Sequence, residues 1–150
     1  MKHRIIDILL VTLQFGTLIA IFTHPSTGSI TYPQVVDVLG PIFLVSGILI
    51  GMLGVAGLRR SLSIFPTPST SATLITNGAY KYVRHPMYTA LILIAVSFTL
   101  CRLSLLGIVL FFGLLIILFS KSRYEERMLA RRFNEYEAYR KTTGRFFPKL

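Results

Sequence analysis

The stretch that decides the fold is RHPMYTALILIAVSFTLCRLSLLGIVLFFGLLIILFSKSRYEER, residues 84–127. It contains two apolar runs, 86–101 and 103–120, which are separated only by Arg102. A chain that begins a second apolar run so soon must turn back, so the two runs are predicted to form a tight antiparallel helical hairpin. Because a helix rises about 1.5 Å per residue, they cover nearly the same distance out and back. The charged residues that flank the hairpin should therefore lie at one level.

Two further apolar runs, 5–23 and 35–58, precede the hairpin. The composition is 53% hydrophobic with a mean hydropathy of +0.64. A helix needs about 20 apolar residues to cross about 30 Å of hydrocarbon. The sequence therefore predicts one all-α integral membrane domain over residues 1–150, with four transmembrane helices. The first run is too long for a signal-peptide core and no A-x-A-like site closes it, so we expect a retained helix.

The basic residues predict the orientation of the chain. Of its 16 Lys and Arg residues, 15 lie before the first run, between the second and third runs, or after the fourth, and only Arg102 lies elsewhere. By the positive-inside rule both termini and the 59–85 loop are predicted to be cytoplasmic. A net charge of +10 suggests nucleic acid in a soluble chain, but here the charges adjoin apolar runs and indicate anionic headgroups instead. The single Cys101 excludes a cysteine-rich metal site.

The hairpin gathers a set of polar residues at its charged end: Tyr80, Arg84, His85, Tyr88, Glu125 and Glu126. Pro86 suits the first turn of a helix, whose free N–H groups should donate hydrogen bonds to a carboxylate or a phosphate. Arg84 offers a planar fork to a second anion, and either glutamate can hold an ammonium. The tyrosine rings can form a wall for a flat heterocycle. His24 has no sequence partner and is expected in solvent or at the interface.

The segment after the fourth run continues the helical pattern. Apolar residues recur among Arg and Glu between residues 124 and 139. This spacing predicts a C-terminal amphipathic cytoplasmic helix on the membrane or over the loop. Its pattern leaves open whether it is an anchor or a lid.

Two stretches together resemble a known pattern: LITNGAYKYVRHPMY, residues 74–88, and EERMLARRFNEYEAYRKTTGRFFP, residues 125–148. They are similar to the isoprenylcysteine carboxyl methyltransferase and phospholipid methyltransferase families, which share G-x-Y, R-H-P-x-Y and E-E-x-x-L-x-x-x-F-G-x-x-Y-x-x-Y. The resemblance covers about residues 72–148, with cofactor motifs at 72–90 and 121–148. Three positions depart from the pattern: Ala90 and Asn134 each replace a glycine, and Lys121 replaces an arginine.

The resemblance implies a membrane methyltransferase that uses S-adenosylmethionine. It implies that Arg84 orients the methyl acceptor, and we expect Arg84 and Glu126 to serve catalysis. It also implies substrate contacts by Lys121 and Arg123. The implied cofactor-binding residues are Thr73, Leu74, Ile75, Tyr80, His85, Pro86, Met87, Tyr88 and Glu125, of which Glu125 pairs with the cofactor's amino group.

The sequence leaves the acceptor open. A carboxylate acceptor, for which an isoprenylated cysteine is the best candidate, needs a cation such as Arg84 or Lys121. An amine on a phospholipid headgroup needs a base such as Glu126. A nicotinamide-dependent sterol-type reductase and a small transporter are further alternatives. The expected partners are the lipid bilayer and a lipophilic or prenylated acceptor, with no nucleic acid and with an oligomeric state that the sequence does not indicate.

Overall fold

The computed structural model describes residues 2–25, 34–58 and 73–149, with side chains from residue 5 onward. Over these ranges the regular secondary structure is helical, and one isolated β-bridge joins Val83 to Gly144. The elements are α1 Lys2–Thr23, α2 Gln34–Leu58, a 3₁₀ turn Gly78–Lys81, α3 Pro86–Arg102, α4 Leu105–Arg132 and α5 Tyr136–Thr142. The predicted all-α membrane fold is confirmed.

Three of these helices are long and apolar enough to cross a membrane, namely α1, α2 and α4. The fourth predicted span corresponds to α3, a shorter apolar helix of 17 residues. Most of the large apolar side chains on α1 and α2 face outward, as expected for helices in contact with lipid. The basic residues Arg59 and Arg60, on which part of the orientation prediction depends, lie outside the described residues, as does the 26–33 loop.

Helix α2 packs closely against α3 because small residues line its contact face. Gly40, Gly47 and Gly54 recur every seven residues and are all buried. A Cβ atom on Gly47 would lie 2.8 Å from Cγ1 of Ile94 and 3.0 Å from the Ala90 carbonyl oxygen. Small residues let helix backbones approach closely where lipid supplies no hydrophobic force between helices. This stripe therefore sets the distance between α2 and α3.

The predicted tight hairpin is present between α3 and α4. Leu103 adopts a left-handed conformation with φ 36°, and the Ser104 hydroxyl accepts the Gly107 N–H at 2.9 Å as an N-cap. The Arg102 guanidinium donates to the Ile21 carbonyl at 2.5 Å, which ties the turn to the end of α1. His24 is buried here, with Nε2 3.4 Å from the Ser104 hydroxyl, so it is not in solvent and it has a neighbour that the sequence did not indicate. The hairpin folds onto α1, which a sequence pattern cannot reveal.

The core lies between α1, α3 and α4. Its fully or nearly fully buried members are Leu18, Ile21, Ile92, Ala95, Leu114 and Leu118. These side chains bring α4 against α1 along one side and α3 along the other. Because α4 then continues beyond the apolar run, its charged turns project from the same end of the bundle at which α3 begins.

The C-terminal helical segment is divided in the structure. Helix α4 runs unbroken through the fourth apolar run to Arg132, and Phe133 then turns extended. A seven-residue helix, α5, follows from Tyr136. Asn134 lies in the break, where an asparagine side chain competes with the helical backbone for hydrogen bonds. The first half of the predicted amphipathic helix is thus an extension of α4.

Candidate active site

Glu126 is the centre of a charged cluster at the end of the bundle where α3 begins. Its side chain is 4% exposed. The Oε1 atom lies 3.0 Å from both Nε and Nη2 of Arg84, 3.2 Å from Nε2 of His85 and 3.1 Å from Nε of Arg145. The Oε2 atom lies 2.6 Å from Nη2 of Arg145. Two guanidinium groups therefore hold both oxygens of one buried carboxylate, an arrangement of strong charge-assisted bonds.

Arg84 uses its whole guanidinium fork. Besides contacting Glu126, Nη1 donates to the carbonyl oxygens of Arg140, at 3.1 Å, and Thr143. Its side chain is 9% exposed. An arginine fork can serve several acceptors in fixed directions, which a lysine ammonium cannot reproduce. Arg84 thus joins the start of α3 to α4 and to the end of α5.

The segment that follows α5, residues 143–147, crosses the start of α3, and we name it the C-terminal strap. The Arg84 N–H donates to the Gly144 carbonyl at 2.8 Å and the His85 N–H donates to the Arg145 carbonyl at 3.1 Å. A Cβ on Gly144 would collide with the Phe147 carbonyl oxygen, so this crossing requires glycine. The strap brings Arg145 and the Phe146 ring to the cluster.

Sequence reasoning missed Arg145 and Phe146 as site residues. They lie after a glycine in an irregular tail, where no periodicity assigns them to a face. The Phe146 ring contacts the rings of His85 and Tyr88 with centroids 6.1 and 6.4 Å apart. The only available signal was their place at the end of the second resembling stretch.

Glu125 has a different environment from its neighbour. Its side chain is 28% exposed. Its Oε2 atom accepts the Tyr88 hydroxyl at 3.2 Å and lies 3.5 Å from Nδ1 of His85. The His85 and Tyr88 rings stack with centroids 5.2 Å apart and planes inclined by 4°. Glu125 is therefore a partly open carboxylate next to two parallel flat rings.

The N-terminus of α3 offers fewer donors than the sequence predicted. The N–H groups of Tyr88 and Thr89 both donate to the His85 carbonyl at 3.0 Å. The Thr89 hydroxyl donates to the Phe146 carbonyl at 2.7 Å, and the strap covers this turn. These contacts engage part of the first turn of α3, and the anion site that we expected there stays a prediction.

The two predicted substrate residues of α4 lie in different places. Lys121 is 2% exposed, and its Nζ atom donates to Oε1 of Gln14 at 2.7 Å and lies 5.4 Å from the centre of the Tyr88 ring. Arg123 is exposed, with its guanidinium over the Phe119 ring at 5.6 Å. One turn of helix separates residues that point the same way, so Lys121 shares a face with Glu125, whereas Arg123 does not.

The remaining predicted cofactor residues lie on the approach to α3. Thr73 is exposed, while Leu74 and Ile75 are half-buried in a strip that precedes the 3₁₀ turn. Tyr80 is buried against α2, and its carbonyl accepts the Tyr139 hydroxyl at 2.5 Å. Burial raises the pKa of Tyr139 to about 12, so this phenol stays protonated and donating at neutral pH.

Pro86 is fully buried and Met87 faces an apolar cavity between the helices. The cavity has a volume of about 620 Å³. It is lined by Gln14, Phe15, Gly47, Ile48, Gly51, Met52, Val55, Ala56, Met87, Tyr88, Ala90, Leu91, Ile94 and Lys121. Among the lining residues that the structure describes, only Gln14, Tyr88 and Lys121 bring polar side-chain groups to the wall. Tyr88 also contacts Glu125, so the cavity adjoins the charged cluster.

Comparison with known proteins bears on this site. The family model described as phospholipid methyltransferase matches residues 35–136. The chain is 31% identical over 111 residues to nickel-cobalt-cadmium resistance protein NccN of Alcaligenes xylosoxydans xylosoxydans, covering 67% of this chain and 49% of the relative. It is 30% identical over 113 residues to cobalt-zinc-cadmium resistance protein CzcN of Cupriavidus metallidurans, covering 75% of this chain and 52% of the relative.

The chain spans about half the length of these curated relatives. Within residues 2–25, 34–58 and 73–149, no group of three or more His, Cys, Asp or Glu residues could hold a metal ion. The family match covers α2, the 3₁₀ turn, α3, α4 and the Glu pair, and these elements build most of the cluster. The chain belongs to the phospholipid methyltransferase family.

Proposed function

We propose that this chain is an integral membrane methyltransferase that transfers a methyl group from S-adenosylmethionine to a lipophilic carboxylate, such as that of an isoprenylated cysteine. One observation carries the proposal: Tyr88 lies between an apolar cavity and the partly exposed Glu125. A cavity that can take a hydrocarbon chain thus adjoins groups that can bind a charged cofactor. Membership of the phospholipid methyltransferase family supports the same reaction class.

The residues around Glu125 fit the cofactor. A carboxylate that is 28% exposed can accept charge-assisted bonds from the cofactor's ammonium group. The stacked His85 and Tyr88 rings offer a flat surface to its adenine. Bound there, S-adenosylmethionine supplies an electrophilic methyl group: the acceptor oxygen forms a new C–O bond, the methyl–sulfur bond breaks and sulfur keeps the electron pair. We assign cofactor contacts to the strip 73–75, to Tyr80 and to the first turn of α3.

The environment of Glu126 favours a carboxylate acceptor over an amine. An ammonium headgroup must lose a proton before it can attack, and so it needs a base. Both oxygens of Glu126 are bonded to guanidinium groups, which lowers their tendency to take a proton. A carboxylate needs no base and is attracted by cations, here Lys121 at the cavity wall and Arg145, whose side chain is 24% exposed.

Arg84 and Glu126 then act by alignment. Together they hold Arg145 and the strap over the start of α3. Holding two reactants in line contributes up to about 7–11 kcal/mol to catalysis when the geometry is right. A rigid ion-paired network is suited to that task, because its members lose little freedom when the acceptor binds.

The charged end of the bundle is proposed to face the cytoplasm. The described basic residues that follow Ser120 all lie at this end, as the positive-inside rule requires of a cytoplasmic face. A reporter fused after residue 150 that is active only in the cytoplasm is the expected result. Activity only on the opposite side of the membrane would refute the orientation.

The proposed reaction is tested with labelled methyl on S-adenosylmethionine. Purified protein is given a farnesylated cysteine analogue and, in a parallel reaction, phosphatidylethanolamine. We expect label in a base-labile methyl ester of the cysteine analogue. The runner-up function, N-methylation of a phospholipid headgroup, is favoured by the family's description. Base-stable label on phosphatidylethanolamine alone would establish that function instead.

A further inference from the structure

The Phe146 side chain stands beside the stacked rings of His85 and Tyr88. Its ring centroid lies 6.1 Å from that of His85 and 6.4 Å from that of Tyr88, and its plane is inclined to theirs by 63° and 60°. A ring that extended the stack would lie much farther from one member than from the other. The near-equal distances therefore place Phe146 alongside both rings, in the inclined arrangement that aromatic pairs prefer. It supports the pair from one side.

The backbone of the strap fixes where the Phe146 ring lies. The Arg145 carbonyl accepts the His85 N–H at 3.1 Å, and the Phe146 carbonyl accepts the Thr89 hydroxyl at 2.7 Å. The Phe146 side chain is partly buried and packs against the apolar core between α1, α3 and α4. Its position is thus set by the strap and by the core, as well as by the two rings that it contacts.

The His85 and Tyr88 rings in turn hold the Glu125 carboxylate. Its Oε2 atom accepts the Tyr88 hydroxyl at 3.2 Å and lies 3.5 Å from Nδ1 of His85. The other ring nitrogen of His85, Nε2, lies 3.2 Å from Oε1 of the buried Glu126. A glutamate side chain has several staggered rotamers, and two contacts to one of its oxygens select among them. The orientation of Glu125 therefore depends on the orientation of the two rings.

We propose that Phe146 is a positioning residue: by supporting the His85 and Tyr88 rings, it holds the Glu125 carboxylate in the orientation that binds the cofactor's ammonium group. The proposal rests on the proposed function, in which Glu125 makes that contact. A carboxylate that is already oriented loses less conformational freedom when the ligand binds, so the ligand binds more tightly. Phe146 lies outside residues 35–136, which match the family model, so this role follows from the tertiary contacts.

Calorimetric titration with S-adenosylhomocysteine tests the role of Phe146. The full chain is purified in nonionic detergent, and the affinities of the wild type and of Phe146→Leu are compared. Leucine keeps an apolar side chain at this position but has no flat ring to support the pair. We expect Phe146→Leu to bind roughly three- to tenfold more weakly, as the loss of one or two aromatic contacts implies. Equal affinity of the two proteins would overturn the proposal.

Phe147→Leu is the matched control. Phe147 is the next residue of the strap and has the same side chain, but that side chain is 65% exposed. We expect Phe147→Leu to bind S-adenosylhomocysteine with wild-type affinity. A loss as large as that of Phe146→Leu would overturn the proposal, because the effect would then follow from any change of side chain in the strap.

A double-mutant cycle with Glu125→Gln separates positioning from a general structural role. If Phe146 acts through the carboxylate, its replacement weakens binding only where that carboxylate is present. We therefore expect the double variant, Phe146→Leu with Glu125→Gln, to bind within about twofold of Glu125→Gln alone. A loss in the Glu125→Gln background as large as that in the wild-type background would overturn the proposal, since a loosened fold weakens binding in both.

The thermal unfolding midpoint shows whether each variant is folded. If Phe146→Leu does not fold, Phe146→Met takes its place in the same cycle, because a flexible methionine fills irregular space without a flat ring. A wild type that binds S-adenosylhomocysteine but transfers no methyl group would contradict the proposed reaction alone. A wild type that does not bind it would contradict the proposed cofactor, and the role of Phe146 in binding it would fall as well. Wild-type binding with no effect of Phe146 would contradict this inference alone.

Discussion

Arg145 of the strap and Glu126 of α4 form a two-point ion pair, with N···O distances of 2.6 and 3.1 Å. Arg84, which lies just before α3, contacts the same carboxylate. One buried glutamate therefore joins the start of α3, the extension of α4 and the strap. Loss of one partner leaves the others with an unbalanced charge, which is costly in a buried site.

A double-mutant cycle should detect this pair. The variants Glu126→Gln, Arg145→Met and their combination are compared by thermal or denaturant unfolding in detergent. We expect a coupling free energy of roughly 1–3 kcal/mol, within the range for contacting residues of one network. Additive effects of the two substitutions would contradict the assigned contact.

The matched control is the exposed pair of Glu137 and Arg140 on α5. Its N···O distance is 3.1 Å, similar to that of the buried pair, but the two side chains are 51% and 50% exposed. Solvent screening should limit the same cycle at this pair to about 0–0.5 kcal/mol. If the exposed pair showed a coupling free energy as large as that of the buried pair, burial would not be what strengthens the buried pair.

Arg84→Lys should reduce turnover by at least tenfold, equivalent to ~1.4 kcal/mol of transition-state stabilisation. A lysine keeps the charge but cannot serve the Glu126 carboxylate and the carbonyls of Arg140 and Thr143 together. The measurement is initial rate with labelled S-adenosylmethionine. Arg127→Lys, at an exposed position of α4, is the control and should keep full activity. Full activity of Arg84→Lys would leave Arg84 as a topology anchor.

Glu125→Gln should weaken the binding of S-adenosylhomocysteine by ~1.5–3 kcal/mol, the range for a hydrogen bond to a charged group. The Gln side chain keeps the size of Glu125 and can still contact Tyr88, but it loses the charge that pairs with the ligand's ammonium. Calorimetric titration of the purified protein measures the affinity. Glu135→Gln, on the exposed turn before α5, serves as the control. Unchanged affinity in Glu125→Gln would reject its assignment to the cofactor.

Gly47→Ala should destabilise the protein by roughly 1–3 kcal/mol, because the new methyl group overpacks the contact with α3. Its nearest atoms would be Cγ1 of Ile94 at 2.8 Å and the Ala90 carbonyl oxygen at 3.0 Å. Gly16→Ala is the control, since a Cβ there meets nothing within 4 Å and alanine favours a helix. Unfolding midpoints of the two variants give the comparison. Equal stability of both variants would contradict the close packing of α2 on α3.

The sequence was sufficient to predict the helices, because each helix follows from a local property of the chain. Apolar runs near the length of a membrane span predict helices, and a turn as short as that between α3 and α4 forces the chain to reverse. The reversal brings residue 84 and residue 126 to one level, and their side chains do meet. The number of apolar helices and the position of the charged end of the hairpin could therefore be predicted from the sequence alone.

The two glutamates of the pair, Glu125 and Glu126, illustrate what the sequence leaves open. They are adjacent and chemically identical, so the sequence allowed either carboxylate to hold an ammonium. Consecutive side chains on a helix point about 100° apart. Glu126 consequently faces Arg84 and Arg145, while Glu125 faces Tyr88 and stays partly exposed. Only the rotation of α4 about its axis, set by packing against α1 and α3, decides between them.

The sequence by itself determined the all-helical membrane architecture and the polar residues at the hairpin's charged end, because hydropathy and turn length act over short stretches of chain. The tertiary structure alone decided that the strap returns to place Arg145 on Glu126 and that Gln14 meets Lys121. Both contacts join segments with no local pattern in common. They depend on how whole helices and an irregular tail pack together, and that packing is a property of the folded chain.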